Sequence, residues 1–352
     1  MDESRAERWM REAIRLARKG FPAPNPRVGC VIVKANRIVG RGHHAYAGGP
    51  HAEIVALREA GDKSRGAHLF VTLEPCRHHG KTPPCTQALI QAGVGRVTVA
   101  QLDPTPDAGG GLRELEAAGI PVTARVLETE AASVNELWLT AVHMRRPYVA
   151  LKVACSLDGI IHSPDASDRW ITSSPARRAG HRLRAELGCV LVGSRTVEVD
   201  DPQLTARLPG VRRQPLRVVL DPTASLKPDH RVFDQSAETI RLVAGKPRRE
   251  GDVPCPTNGG AFDMRALLEI LWQRGMTGVL VEGGAQTYRA FLEAGLCDAL
   301  EMFVSPKVLG SGLRWFDPLS GQDLSTLSGF ELVSARRVGS DAWLRLRSQS
   351  RE

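Results

Sequence analysis

Three residues constrain the fold of this chain more than any others. His51 stands where a helical pattern begins, in "GGPHAEIVALREAG" (48–61), with Ile54, Val55, Leu57 and Ala60 as its apolar positions. Cys76 follows a buried-strand pattern, "AHLFVTL", and Cys85 opens the next helical stretch, "CTQALIQAG". All three lie at strand-to-helix junctions. One imidazole and two thiolates suit a tetrahedral zinc ion whose fourth position is left for water. To use them together, the fold has to bring the ends of separate elements to one point.

Glu53 stands two residues beyond His51, and positions so spaced on a helix side point apart. At a helix start they need not, because side chains in the half-committed first turn reach past its end. The spacing therefore divides the roles, with His51 as a ligand and Glu53 as a proton carrier beside the ion. The dipoles of two helix N-termini favour anions there. His-x-Glu followed by Pro-Cys is the pattern of zinc nucleobase deaminases, which attack an amine-bearing ring carbon and expel ammonia. Here Pro75-Cys76 completes it, but eight residues separate the cysteines instead of two. Cys30, in "GCVIV", is expected to pack in the core.

Along the first half, helical and strand-like pieces alternate. An amphipathic opening helix turns Trp9, Ile14 and Leu16 inward. "VGCVIVKANRIVGRG" reads as two strands around a Lys-Ala-Asn turn, and strands follow at "AHLFVTL", "RVTVAQL" and "IPVTARVL". Helices are expected at "CTQALIQAG" and "GLRELEAAG", the latter closed by Gly119. This order predicts an α/β sandwich with a mixed or parallel sheet. A basic pair and Pro147 mark a seam, so we expect domains over 1–146 and 147–352. The second half has strands at 148–155, "CVLVGS", "LRVVLD" and "GVLVEGG", with helices near 175–187, 262–274 and 285–294. Residues 243–261 are the most loop-like. Gly283-Gly284, between a strand and a helix, is a candidate phosphate cradle. No Gly-x-Gly-x-x-Gly follows the first strand, which disfavours a Rossmann dinucleotide site.

Composition narrows the classes. The chain of 352 residues has a net charge of +8, with +5 on residues 1–146 and +3 on residues 147–352, and no basic tract. Seven scattered cysteines do not form a secreted disulfide framework. The N-terminus has no signal-peptide pattern, and no apolar run approaches the roughly 20 residues that span a bilayer. We therefore expect a cytoplasmic protein without membrane partners.

Three segments, "PNPRVGCVIV" (24–33), "GRGHHAYAGGPHAE" (40–53) and "VTLEPCRHHGKTPPCTQALI" (71–90), resemble the deaminase half of the bifunctional riboflavin-biosynthesis deaminase–reductases, where the eight-residue cysteine spacing is normal. "LKVACSLDG", "RWITS", "LRAELGCVLVGSRTVEVDDPQLTAR", "LVEGGAQTYRAFL" and "FVSPKVLG" resemble its reductase half, and together these motifs span about residues 5–345. The resemblance implies a cytidine-deaminase-like α/β/α sandwich followed by a dihydrofolate-reductase-like α/β domain. It implies one zinc ion on His51, Cys76 and Cys85, with Glu53 catalytic, and Asn25, His78, His79, Lys81 and Thr82 around a phosphorylated pyrimidine. For the reductase it implies NADPH held at Ala154, Trp170, Thr196, Asp200, Gly284, Ala285, Gln286 and Thr287. Asp168, Arg184, Leu204, Arg207 and Glu282 then contact the ribosyl substrate, and Lys152 assists hydride transfer. The arginines suit bidentate contact with a 5′-phosphate. A homo-oligomer through the reductase domain is also implied.

The chain departs from the family pattern at Ile160, where Lys or Arg is usual, and at Asp168, where serine is common. Glu198-Val199 replaces a usual Leu-Ala, and "DAGGGL" (107–112) lacks the usual arginine. The departures at Ile160 and Asp168 leave a second reading, a deaminase whose second domain is a non-catalytic binding module. A third, a nucleic-acid base deaminase, conflicts with the lack of a basic tract and of stacking aromatics, with only three Tyr and eight Phe.

Overall fold

Ala35 and Asn36 both take the left-handed backbone, with φ of 47° and 57°. They form the two-residue turn that joins β1 (Gly29–Lys34) to β2 (Arg37–His43), at the expected Lys-Ala-Asn site. The computed structural model describes residues 3–77, 84–164, 170–316 and 329–349. The chain divides into two compact units, Met1–His143 and Met144–Glu352.

In the first unit α1 (Glu3–Ala17) precedes the hairpin. After it come α2 (Ala52–Ala60), β3 (His68–Leu73), α3 (Cys85–Gln91), β4 (Arg96–Gln101), α4 (Gly111–Ala117) and β5 (Val122–Thr123). Two helices absent from the sequence reading, α5 (Glu128–Val134) and α6 (Glu136–Met144), follow. The sheet order is β2-β1-β3-β4-β5, with β1 antiparallel to both neighbours and β3, β4 and β5 parallel. Alternation along the strands builds two cores. Cys30, Ile32, Leu69, Val71, Val97 and Val99 pack with Ala52 and Ala56 of α2, Leu89 of α3 and Leu115 of α4. Val31, Val33, Phe70 and Ala100 pack with α1 through Trp9, Met10, Ala13 and Ile14, and with Ala131 of α5. The unit is an α/β/α sandwich.

One detail differs from the sequence reading. The strand expected over "IPVTARVL" shortens to Val122–Thr123, because Arg125 and Leu127 turn the chain with φ of 66° and 57°. The most buried face of α2 is also not the one that carries its largest apolar residues. Ala52, Glu53, Ala56 and Ala60 are buried, while Ile54, Val55 and Leu57 stay half-buried. The cause is the closeness of α2 to β2. A Cβ at Gly42 would stand 1.9 Å from the Ala52 carbonyl oxygen, and one at Gly40 would stand 2.2 Å from that of Ala56. Only small residues fit that contact.

The second unit begins with β6 (Tyr148–Cys155), β7 (Ile160–His162), α7 (Ser174–Leu187), β8 (Cys189–Gly193), α8 (Ser194–Asp200) and β9 (Leu216–Leu220). Strands β10 (Thr239–Val243), β11 (Asp252–Pro254), β12 (Thr257–Asn258) and β13 (Ala261–Phe262) lead to α9 (Met264–Gln273). Then come β14 (Gly278–Val281), α10 (Ala285–Glu293), β15 (Ala299–Val304), β16 (Leu313–Arg314), β17 (Phe330–Val338) and β18 (Asp341–Ser348). The main sheet has nine strands in the order β11-β10-β9-β8-β14-β6-β15-β18-β17. Neighbours from β11 to β15 run parallel, and β18 and β17 add antiparallel.

Helices α9 and α10 cover one face through Leu267, Leu271, Phe291 and Leu292. Val197 of α8 and Leu204 pack on the other with Val190, Val192 and Val219. Asp263 caps α9 by accepting from the N–H groups of Arg265 and Ala266. Gly188 ends α7 in the left-handed region at φ 72°. Because β14 returns between β8 and β6, the carboxyl ends of these three strands adjoin. Such a switch in winding opens the crevice where α/β sheets bind ligands.

Gly42→Ala should cost about 1–3 kcal/mol through the forced separation of α2 from β2. Urea unfolding measures it, and an unchanged midpoint would contradict the packing.

Candidate active sites

The first site is built at the tips of two helices. His51 is the N-cap of α2, with extended backbone, and Cys85 is the first residue of α3. Cys76 lies shortly after β3. The Nδ1 of His51 is 3.5 Å from the Cys76 Sγ and 3.3 Å from the Cys85 Sγ. One donor atom from each of the three residues lies within 4.8 Å of the other two. Zinc bound tetrahedrally, with bonds of about 2.0 Å to nitrogen and about 2.3 Å to sulfur, holds such atoms about 3.6 Å apart. The donor set fits the ion. The neighbouring Cys85 thiol and His51 draw the Cys76 thiol down, against burial, so one thiolate forms readily.

Glu53, the second residue of α2, is buried, and burial pushes its carboxyl up, with His51 opposing. Asn25 also reaches this site. Its Nδ2 is 3.0 Å from the Nε2 of His44, whose Nδ1 is 3.1 Å from the Pro50 carbonyl oxygen. The tautomer that satisfies both contacts has Nδ1–H donating to Pro50 and Nε2 accepting from Asn25, which leaves Asn25 Oδ1 as an acceptor. The His44 ring stands edge-on to His51 at 5.3 Å. His44 was not anticipated, although "GHHAYAGGPHAE" carries it. His78, His79, Lys81, Thr82 and Asp168 lie outside the described residues.

The second site gathers charges around Glu282, which follows β14. Arg184 of α7 holds its carboxylate with two nitrogens, Nη2 at 2.9 Å from Oε2 and Nε against Oε1. The Lys152 Nζ lies 3.8 Å from Oε2. Burial raises the Glu282 carboxyl, but Arg184 and Lys152 outweigh it and hold the group at about 2. Burial lowers the Lys152 ammonium, with Glu282 opposing. Along β6, Lys152 and Ala154 share one face while Leu151, Val153 and Cys155 enter the core on the other.

Arg184 also donates through Nη1 to the Thr205 carbonyl oxygen at 2.9 Å, and the His181 Nδ1 reaches the same oxygen at 3.0 Å. Arg207 reaches the Thr205 hydroxyl at 3.0 Å. Leu204, buried with φ 56°, sits beside them. Lys152, Arg184, Leu204, Arg207 and Glu282 therefore belong to one cluster. His181 and Thr205 are its unanticipated members. The available signal was the position of His181, one turn before Arg184 on the same helix face. Burial, Arg184 and Arg207 push the His181 imidazole down to about 4.

The glycine pair lies against α8. A Cβ on Gly283 would meet the Thr196 Oγ1 at 2.7 Å, Gly284 takes φ 80°, and a Cβ on Gly193 would meet the Thr287 Oγ1 at 3.2 Å. Thr196, Gly284 and Thr287 thus converge where β8 and β14 pass into helices of their own. Ala285 and Gln286 begin α10, and Asp200 ends α8, close enough to raise the Lys152 ammonium. This bare-backbone notch at two helix starts fits a phosphate-bearing cofactor. Trp170 has contacts of another kind. It is half exposed, under the Arg177 guanidinium at 4.6 Å, and its carbonyl accepts from Lys307 at 2.9 Å.

Residues 3–101 match the family profile for the cytidine and deoxycytidylate deaminase zinc-binding region, and residues 147–344 match the RibD C-terminal domain. The riboflavin biosynthesis protein RibD of Aquifex aeolicus is 43% identical over 315 residues, covering 87% of this chain and 88% of that protein. The chain belongs to the RibD family. The Escherichia coli RibD is 40% identical over 97% of this chain and 98% of its own. A solved RibD structure from Acinetobacter baumannii superposes with a TM-score of 0.88 at 37% identity, covering 99% and 100% of the two chains. A Thermotoga maritima structure, described as a diaminohydroxyphosphoribosylaminopyrimidine deaminase/5-amino-6-(5-phosphoribosylamino)uracil reductase, gives 0.83 at 38%, covering 98% and 99%.

The chain thus joins a cytidine-deaminase-like zinc domain to a dihydrofolate-reductase-like reductase domain, as expected from the sequence, and serves riboflavin biosynthesis with zinc and NADPH as cofactors. The reductase match favours two activities over a deaminase alone. Among the described residues no helix is long and apolar enough to cross a membrane.

Glu282 makes the reductase domain sensitive to acid in a defined direction. Its pKa is lowered from the ordinary 4.5 to about 2, so its stabilisation is complete above 4.5 and is lost as pH falls through about 2. Chemical denaturation across that window should show a shallower loss for Glu282→Gln than for the wild type; equal slopes would contradict the ion cluster.

Proposed function

We propose that the first domain hydrolytically deaminates 2,5-diamino-6-(5-phosphoribosylamino)pyrimidin-4-one. The second domain then reduces the ribosyl chain of 5-amino-6-(5-phosphoribosylamino)uracil to ribityl with hydride from NADPH. The observation that carries this reading is the buried Glu53 carboxyl at the helix tip that also presents His51 to Cys76 and Cys85.

His51, Cys76 and Cys85 would hold the zinc ion, which would lower the pKa of a water towards ~7. Glu53 moves the protons. It takes one as water adds to the amine-bearing ring carbon, and returns one to the amino nitrogen, which leaves as ammonia. Burial, which pushes the carboxyl up, favours its holding that proton. Asn25, oriented by His44, offers Oδ1 to the pyrimidine. His78 and Lys81 belong to the same substrate loop, with Lys81 on the phosphate.

In the second domain NADPH, when bound, would supply hydride to C1′, and opening of the C1′–O4′ bond would require a proton at O4′. Lys152 supplies that proton, its ammonium held near Glu282. Glu282 fixes Arg184 and Lys152 relative to each other. We assign Arg184, Leu204 and Arg207 to the ribosyl substrate, and Asp168 to it by the family resemblance alone. Ala154, Trp170, Thr196, Asp200 and the segment Gly284, Ala285, Gln286 and Thr287 hold NADPH, with the Gly284 backbone on phosphate. The domain limits we assign to these activities are 1–146 and 147–352. We also assign a cytoplasmic location, which seven free cysteines support, no nucleic-acid partner, and a homo-oligomer through the reductase domain.

Glu53→Ala should keep its zinc by metal analysis while ammonia release falls about 10²–10⁴-fold. Its NADPH oxidation on supplied deaminated product should be unchanged. Deamination at the wild-type rate would overturn the role of Glu53. Lys152→Met should still bind NADPH in a fluorescence titration while turnover falls at least about 100-fold; normal turnover would remove Lys152 from the mechanism.

A further inference from the structure

The two thiol ligands are separated by eight residues, yet helix α4 connects them through contacts on both sides. Glu74, two residues before Cys76, is buried and accepts from three backbone N–H groups: Asp103 at 3.1 Å, Gly110 at 2.9 Å and Leu112 at 3.0 Å. The last two are free donors at the start of α4, so Glu74 caps that helix from outside. Gly111 sits directly on the next residue, since a Cβ there would stand 1.9 Å from the Pro75 carbonyl oxygen. Arg77, on the other side of Cys76, donates to the Gly109 carbonyl at 2.6 Å.

One turn along α4, Glu114 accepts from the Thr86 hydroxyl at 2.9 Å. Thr86 is fully buried, follows Cys85 directly, and its N–H reaches the Cys76 carbonyl at 3.3 Å. The glycine run "AGGG" therefore lets the helix start lie flat against the segment that carries Cys76, while Glu114 holds the segment that carries Cys85.

We propose that α4 is a splint that keeps Cys76 and Cys85 at ligand spacing, with Glu74, Thr86 and Glu114 as positioning residues of the metal site. The physical reason is preorganisation: ligands already held in place lose little freedom when the ion binds, and let it go slowly. The inference rests on the zinc reading of His51, Cys76 and Cys85, whose own failure would appear as wild-type protein purified without zinc.

The test uses the zinc-loaded full chain and a chromogenic chelator, and it reads the rate of zinc release rather than deamination. Thr86→Val and Glu114→Ala should release zinc about 10–100-fold faster than the wild type. Glu114→Gln should restore slow release, because its amide oxygen still accepts from Thr86. Glu116→Ala, on the exposed side of α4, should not change the rate, and NADPH oxidation by the second domain should be unaffected in every variant. Wild-type release rates for Thr86→Val and Glu114→Ala would overturn the splint. So would fast release from Glu116→Ala or Glu114→Gln, or a parallel loss of reductase turnover.

Discussion

The close approach of α2 to β2 is the constraint on which the deaminase site depends. Gly40 and Gly42 leave no atom between the strand and the helix carbonyls, so the helix start can go in only one place. That placement puts His51 at the tip, facing two thiols, and buries Glu53 beside it. A larger residue on either element would shift the tip by a fraction of an ångström. Ligand geometry and proton transfer both depend on distances of that size.

The reductase site rests on a different principle, that of one carboxylate among several cations. Glu282 is buried, and a lone buried carboxylate would be neutral or strongly destabilising. Arg184 and Lys152 keep it charged. In turn it fixes the Arg184 fork, which reaches the Thr205 carbonyl and thereby the segment of Leu204 and Arg207. Removing one partner from such a cluster is costly because the others remain buried and unpaired. Position and charge are therefore set together, at a point where three strand ends adjoin.

Much of this was legible in the sequence. The ligand types and their placement at strand-to-helix junctions follow from local chemistry, because a helix start is marked by its own neighbours. The alternation of strands and helices was equally readable, including the Lys-Ala-Asn turn. The tail of "IPVTARVL" was misread because its alternation is produced by packing after a turn rather than by a strand. The apolar period of α2 marked the helix but not its most buried face, because closeness to glycine selects alanine there.

What the sequence by itself determined is the chemistry available: one imidazole, two thiols and a carboxyl at helix starts, and a glycine pair between a strand and a helix. Only the tertiary structure decided which distant groups meet. Arg184 and Glu282 lie 98 positions apart, and Asn25 and His44 lie 19 apart. Neither pairing leaves a local trace, since backbone preferences and hydrophobic period act over a few residues, whereas these contacts arise from how strands order in a sheet. The same reason hides the splint. Nothing in "LEPC" or "GLRELEA" alone says that one caps the other until β3, β4 and the loop after β4 bring them together.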